Sequence, residues 1–170
     1  EVITKNVVFL DTETTGLGGE VIELAIVDGA GHVRFNGRFK PQREIEPGAA
    51  AVHGLTADIL AGAPDWADCY NEIRGILEGA ELVLIYNAEF DVGRLWLTCR
   101  LRDLEPFKFQ NACVMEWYSQ FCGVWSRRHG SYRWQPLPGG DHSALGDCLA
   151  ALDVVKGIAA AKEQNHEHNR

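Results

Sequence analysis

Five short runs of apolar residues, many of them β-branched, predict five strands along the chain. They cover residues 7–10, 21–27, 33–39, 82–86 and 107–113. The second and third runs are joined by Asp28-Gly29-Ala30-Gly31, a sequence that is typical of a hairpin turn. We therefore expect the first three strands to form an antiparallel meander.

Apolar residues at helical spacing alternate with the later strands. Asp65 is a good N-cap residue, and the positions after it repeat every three or four residues: Trp66, Tyr70, Ile73 and Leu77. Other helices are predicted over residues 89–99, 114–122 and 143–160. Residues 123–141 have no apolar period and are predicted to form a loop.

Strands that are separated by helices join a sheet in parallel, so the pattern predicts an α/β fold with a mixed sheet. Strands 1–3 are expected to be antiparallel, later strands parallel, and helices to flank the sheet. We expect one domain over residues 1–162. The polar residues 163–170 are expected to form a disordered tail.

The acidic composition argues against a protein that simply coats nucleic acid. The 170 residues include 16 lysines and arginines and 24 aspartates and glutamates, so the net charge is −8. A protein that binds nucleic acid through charge alone is normally basic. An enzyme that holds divalent cations is compatible with this charge, because the cations supply positive charge.

The cysteines and the hydropathy pattern bear on the compartment. Five cysteines are scattered without a CxxC pair, which favours a reduced, cytoplasmic chain over a disulfide scaffold or a zinc site. No apolar run reaches the roughly 18 residues of a membrane span, so we expect no membrane partner. The chain begins without a methionine or a signal-peptide pattern, and we expect its start to be that of a trimmed or excised domain.

Two carboxylates, Asp11 and Glu13, stand two residues apart at the end of the first predicted strand. The two-residue period of a strand places both side chains on one face, where their charges repel. A cation such as Mg²⁺ or Mn²⁺ removes that conflict, because both prefer oxygen ligands. Acid pairs at strand ends also occur without a metal. A calcium-binding structural module is not favoured, since no EF-hand loop is present.

Two further acids and one histidine are candidates for the same site. Asp91 lies at the start of a helix, where the helix dipole stabilises an anion. Asp147 has apolar neighbours in the last helix, and an acid there is costly unless it is paired or binds a metal. His142 precedes that helix, where it can act as a general base near pH 7. Asp91 and His142 also have ordinary structural interpretations, but all five residues together suit two-metal phosphoryl chemistry.

Four short segments of the chain carry recognisable motifs. They are residues 9–17 (FLDTETTGL), 52–56 (VHGLT), 87–91 (NAEFD) and 142–147 (HSALGD). Together they resemble signatures of the DnaQ-like DEDDh 3′–5′ exonucleases, which include the proofreading epsilon subunits. Residues 9–17 are similar to the first motif of that family, residues 87–91 to the second and residues 142–147 to the third, and residues 52–56 match a further signature. The resemblance covers residues 7–160 and implies a ribonuclease H-like fold.

The resemblance also implies roles for individual residues. In the family, the residues matching Asp11, Glu13 and Asp147 hold one metal ion, and the residue matching Asp91 supports a second. This implies two Mg²⁺ or Mn²⁺ ions, with His142 as the base that deprotonates the attacking water. Seven positions match or adjoin the contacts to the terminal nucleotide: Thr12, Thr14, Gly16, Leu17, His53, Asn87 and Phe90. For Leu17 and Phe90 the alternative is core packing.

One segment departs from the epsilon subunits. Residues 121–140 contain Arg127, Arg128 and Arg133 with interleaved aromatic residues and no acid. Arginines bind phosphates and aromatic rings stack on bases, so we expect this segment to hold the strand upstream of its 3′ end. The alternative is a structural loop whose aromatic rings pack on the core. The segment resembles a subgroup of small standalone bacterial and mobile-element exonucleases, but residues 135–141 are too short for the helix expected before His142.

The resemblance implies a metal-dependent 3′–5′ exonuclease that releases nucleoside 5′-monophosphates from DNA, with single-stranded 3′ ends preferred. The alternative enzyme is an RNA 3′–5′ exonuclease, because no residue discriminates convincingly for or against a 2′-hydroxyl. A third interpretation is a nonenzymatic module that docks on nucleic acid, on a polymerase or on another DNA-processing complex. The presence of all five site residues argues against it.

Overall fold

A five-stranded mixed sheet forms the centre of the protein. The structure is a computed structural model that describes residues 6–167. The strand order is β3-β2-β1-β4-β5. The strands are β1 (Val7–Thr14), β2 (Val21–Asp28), β3 (Val33–Arg38), β4 (Leu82–Ile85) and β5 (Asn111–Cys113). Strands β1 to β3 are antiparallel, and β4 and β5 are parallel to β1, which confirms the predicted topology.

Six helices accompany the sheet in the described part of the chain. They are α1 (Pro47–His53), α2 (Ala57–Leu60), α3 (Trp66–Gly79), α4 (Ala88–Arg100), α5 (Val114–Cys122) and α6 (Ala144–Glu167). Asp65 caps α3 through a reciprocal capping box with Asp68, as its position predicts. None of these helices is both long and apolar enough to cross a membrane.

The alternation of side chains along β1 divides the apolar core into two layers. Val8 and Leu10 point to the layer that contains Trp66 of α3. Val7 and Phe9 point to the opposite layer, which contains residues of α5 and α6. The same alternation continues past Leu10, so Asp11 and Glu13 face the α6 side and Thr12 faces the α4 side. The side chains of the first motif therefore face two different helices on opposite sides of the sheet.

Several boundaries differ from the predicted ones. Strand β1 continues through Thr14, because β2 pairs with it beyond the apolar run, and β5 begins only at Asn111. The predicted loop 123–141 contains a small hairpin, β6 (Trp125–Ser126) and β7 (Ser131–Tyr132). Helix α6 runs through Glu167, so residues 163–167 are helical where a disordered tail was predicted. The ends of the predicted domain and tail, residues 1–5 and 168–170, lie outside the described residues.

Candidate active site

Three carboxylates meet where β1 approaches the start of α6. Asp11 and Glu13 come from β1, and Asp147 comes from the first turn of α6. One carboxylate oxygen from each residue lies within 4.8 Å of the other two. All three side chains are partly buried. The separation is suited to a shared cation and too close for three unscreened negative charges.

Asp91 approaches the same cluster from the opposite layer. It lies in the first turn of α4 and is almost fully buried. Its Oδ1 accepts a hydrogen bond of 2.7 Å from the hydroxyl of Thr12, the β1 residue between the two clustered acids. Thr12 therefore fixes the orientation of the fourth carboxylate, a role that the sequence analysis did not assign to it.

Burial and mutual repulsion raise the pKa values of these acids. The pKa of Asp11 lies well above its ordinary value, chiefly because of burial and then because of Asp91 and Asp147. Burial and the charge of Asp147 raise the pKa of Glu13 to about 8. Burial raises the pKa of Asp91 to about 7, although the Thr12 hydrogen bond acts in the opposite direction. A divalent cation would remove this penalty, so the residues fit a metal site.

The segment before α6 holds Asp147 and exposes His142. Oδ1 of Asp147 accepts the backbone N–H of Asp141 at 2.9 Å and that of His142 at 3.3 Å. Asp141 in turn accepts hydrogen bonds from the backbone N–H and hydroxyl of Ser143, which lower its pKa. His142 has a left-handed φ of 61° and an exposed side chain. This uncommon backbone conformation projects the imidazole from the loop that carries the Asp147 contacts.

A cavity of about 390 Å³ is lined by Glu13 and by most of the residues that are predicted to contact the nucleotide. Six of them line it: Thr12, Thr14, Gly16, Leu17, His53 and Phe90. Leu17 is 85% exposed, so core packing does not explain it. Among the cavity residues that the sequence analysis did not identify, Glu46 lies against Gly16.

The hydrogen bonds of His53 define its protonation. Its Nδ1 accepts the backbone N–H of Leu55 at 3.0 Å, so Nε2 carries the proton and donates to the carbonyl of Thr14 at 3.1 Å. Burial lowers the pKa of His53, which agrees with a neutral ring. His53 therefore ties α1 to the end of β1 and forms part of the cavity wall.

Asn87 and the predicted arginine segment lie elsewhere. Asn87 lines a second cavity of about 670 Å³ together with Trp96, Trp117 and Trp134. The three arginines, Arg127, Arg128 and Arg133, are exposed on or beside the β6–β7 hairpin and line neither of these cavities. In the hairpin, Trp125 packs edge-to-face on Tyr132, with ring centroids 5.2 Å apart, and both rings are exposed. The interpretation of this segment as a loop with aromatic rings on the core is therefore wrong for these two residues.

Two further charged residues near the site were missed by the sequence analysis. Glu23 is buried beside Glu13, and the signal for it is an acid in the middle of the apolar run of β2. Arg94 places its guanidinium over the ring of Phe90, 5.7 Å from the centroid, and its buried Nε has no hydrogen-bond partner among residues 6–167. No sequence pattern marks Arg94, because an arginine on a helix is normally a solvated residue.

Comparison with known proteins identifies the family of this chain. The RNase T model, described as an exonuclease, matches residues 8–155. The uncharacterised exonuclease CP81 of Escherichia phage 186 is 33% identical over 171 residues, covering 89% of this chain and 87% of that protein. The DNA polymerase III epsilon subunit of Salmonella typhimurium is 38% identical over 103 residues, covering 54% of this chain and 42% of the subunit. This chain thus matches less than half of the subunit's length.

Solved structures show the same fold. Exonuclease X in complex with 5′-overhanging duplex DNA aligns with a TM-score of 0.62 and 28% identity, covering 91% of this chain and 92% of that one. The nuclease domain of 3'hExo, a DEDDh family member bound to rAMP, aligns with a TM-score of 0.64 and 15% identity, covering 92% of each chain. The fold is therefore ribonuclease H-like, as expected. Because the family match extends from β1 past Asp147, the chain belongs to the RNase T family of exonucleases.

Proposed function

We propose that the protein is a metal-dependent 3′–5′ exonuclease that releases nucleoside 5′-monophosphates from DNA, with single-stranded ends preferred. The observation that carries the proposal is the convergence of Asp11, Glu13 and Asp147 beside a cavity of nucleotide size. The carboxylates suit cations that bind a phosphodiester, and the cavity offers a place for one terminal nucleotide. DNA is favoured as the substrate because the structure of Exonuclease X contains DNA.

Two Mg²⁺ or Mn²⁺ ions are the proposed cofactors. Asp11, Glu13 and Asp147 would hold one ion, while Asp91 and Asp11 would hold the other. When bound, such ions lower the pKa of water and stabilise the charge that develops on the phosphate. The chain contributes the fixed positions of the ligands, since the Thr12 hydroxyl and the N–H groups before α6 orient Asp91 and Asp147.

The remaining steps depend on side chains around the cavity. Leu17 and Phe90 would enclose the terminal base, while neutral His53 supports the wall and the backbone near Gly16 approaches the sugar. His142 would accept the proton of the attacking water, because its ring is exposed on the segment whose backbone N–H groups bind Asp147. Asn87 would contact the nucleotide from the neighbouring cavity.

The β6–β7 hairpin is proposed to hold the strand upstream of the cleaved nucleotide. Arg127 and Arg128 lie in the hairpin turn, and Arg133 immediately follows β7. The next residue, Trp134, is 72% exposed and shares a cavity with Asn87. Exposed arginines next to exposed aromatic rings can bind phosphates and bases of an unpaired strand together.

The direct test is a gel time course on 5′-labelled single-stranded DNA, 5′-overhanging duplex DNA and RNA. We expect a ladder that shortens gradually from the 3′ end with Mg²⁺ or Mn²⁺ and disappears with EDTA. Asp11→Ala should abolish it, whereas Asp58→Ala, which removes an exposed acid of α2, is the matched control. Immediate release of labelled mononucleotide would indicate the opposite direction, and unchanged cleavage by Asp11→Ala would refute the proposed metal site.

A further inference from the structure

A row of three charged residues crosses the sheet beside the acidic cluster. Glu13 on β1 pairs in register with Glu23 on β2, and Glu23 pairs with Arg38 on β3. Directly opposite residues of antiparallel strands share a face, so two carboxylates and one guanidinium lie side by side. Glu23 is the middle member and is buried, with 6% of its surface exposed.

Each oxygen of the Glu23 carboxylate has a different partner. Oε1 accepts a hydrogen bond of 2.7 Å from Nε of Arg38. Oε2 accepts a hydrogen bond of 3.0 Å from the backbone N–H of Ala144, and this contact is buried. Ala144 is the first residue of α6, so Glu23 connects the central sheet directly to the helix terminus that follows His142 and carries Asp147.

The hydrogen bond between Glu23 and Ala144 lies where β1 and α6 bring their proposed metal ligands together. Asp147 follows Ala144 by three residues in the first turn of α6, and its backbone N–H donates to the carbonyl of Ser143 at 2.9 Å. Glu13 lies on β1, directly across from Glu23. A displacement of the α6 terminus would therefore move Asp147 away from Glu13 and Asp11 without changing any of the three ligands.

We infer that Glu23 is a positioning residue that fixes the first turn of α6 against the sheet and thereby sets the spacing between Asp147 and the carboxylates of β1. The inference rests on the proposed function, since it concerns the geometry of the same metal site. Glu23 contacts neither cation nor substrate in this role. It acts through the Ala144 N–H, while Arg38 binds its other carboxylate oxygen.

The chemistry of the two partners makes the inference testable by a rescue. Both Arg38 Nε and Ala144 N are donors, and a carboxylate offers an acceptor oxygen to each. In Glu23→Gln the side chain has one acceptor oxygen, so its NH₂ group must face a donor. In the double variant Glu23→Gln/Arg38→Gln, the amide at position 38 can accept that NH₂ group, and the carbonyl at position 23 is free to accept from Ala144.

The experiment measures kcat on single-stranded DNA, and it measures Mn²⁺ affinity from the metal-induced rise in melting temperature. The Mn²⁺ midpoint is the Mn²⁺ concentration that gives half of the rise reached at one fixed, high Mn²⁺ concentration. Glu23→Gln should weaken Mn²⁺ binding or lower kcat by about 10- to 100-fold, as is typical for residues that orient metal ligands. The double variant should recover most of that loss. Arg38→Gln alone keeps the Ala144 contact, so its Mn²⁺ midpoint should stay within about threefold of the wild type.

Glu20→Gln serves as the matched control for a buried, ion-paired glutamate. Glu20 is buried and binds Arg102 at 2.8 Å, but its other contacts are to the backbone of residues 42 and 43 and not to α6. It should lower the melting temperature without moving the Mn²⁺ midpoint. If Glu20→Gln and Glu23→Gln change the midpoint equally, or if the double variant shows no recovery, the positioning role is refuted.

The metal measurement separates this inference from the proposed function. A wild-type chain that binds Mn²⁺ but cleaves no substrate would refute the exonuclease proposal, while the midpoints of the variants would still decide the role of Glu23. Normal cleavage by folded Glu23→Gln with an unchanged midpoint would overturn the positioning role alone. A wild-type chain that neither binds Mn²⁺ nor cleaves would overturn both.

Discussion

The raised pKa of Glu13 predicts that the metal-free protein becomes less stable as the pH rises. In the fold this carboxyl has a pKa of about 8, because of burial and the charge of Asp147, against an ordinary value of 4.5. Between these values the unfolded chain ionises Glu13 while the folded chain keeps it protonated. The stability present below pH 4.5 is therefore lost progressively as the pH rises through about 8.

The size of the effect follows from the same two values. A change in pKa from 4.5 to about 8 corresponds to at most about 5 kcal/mol. Glu13 is only partly buried, and solvent screening leaves roughly 2 kcal/mol of that amount. For a chain of this length, 2 kcal/mol lowers the melting temperature by about 4–8 °C. Asp91 acts in the same direction, because burial raises its pKa from 3.8 to about 7.

The assay is a series of melting curves between pH 5.5 and 8.5 in EDTA and in Mg²⁺. In EDTA the melting temperature of the wild type should fall as the pH rises. The melting temperature of Glu13→Gln should fall less, because this variant lacks the titrating group. In Mg²⁺ the decline should shrink or reverse, since the cation binds the ionised ligands. Glu72→Gln, which neutralises an exposed acid of α3, should behave like the wild type. If the melting temperatures of the wild type and of Glu13→Gln fall equally with pH in EDTA, the reasoning is refuted.

Three further predictions concern the proposed reaction. His142→Ala should lower kcat by about 10²- to 10⁴-fold at neutral pH with metal affinity retained, and a change in KM alone in steady-state assays would contradict the base role. Replacing Arg127, Arg128 and Arg133 by alanine should raise KM on long single strands and leave KM on a dinucleotide nearly unchanged; equal effects on both substrates would exclude an upstream contact. Leu17→Ala should raise KM without lowering the melting temperature, because the side chain is 85% exposed, and a loss of several degrees in a thermal melt would assign Leu17 to the core instead.

Local sequence patterns were sufficient for most of the fold. The apolar runs, the turn after Asp28 and the N-cap at Asp65 predict elements that the structure contains. These signals are short-range, because they depend on alternation, helical spacing and the preferences of cap and turn residues. The limits of elements were less predictable. The end of β1 depends on pairing with β2, and the β6–β7 hairpin forms where no local period exists.

The acidic cluster was predictable in composition, whereas its geometry was not. Asp11 and Glu13 share a face because a strand alternates, and this follows from sequence alone. That Asp147 joins them within 4.8 Å follows from the packing of α6 on the sheet. The position of Asp91 likewise depends on α4 bringing it to the Thr12 hydroxyl from the other layer.

The sequence by itself indicated the family, the order of the main strands and helices and five candidate site residues, since each is encoded in a short motif or a local period. Only the tertiary structure identified Glu23 and Arg94, whose significance depends on neighbours distant along the chain. Glu23 and Ala144 are 121 residues apart along the chain, yet they form a buried hydrogen bond at the N-terminus of α6. Packing brings such residues together, and the resulting burial, repulsion and pairing determine which carboxylates form one site.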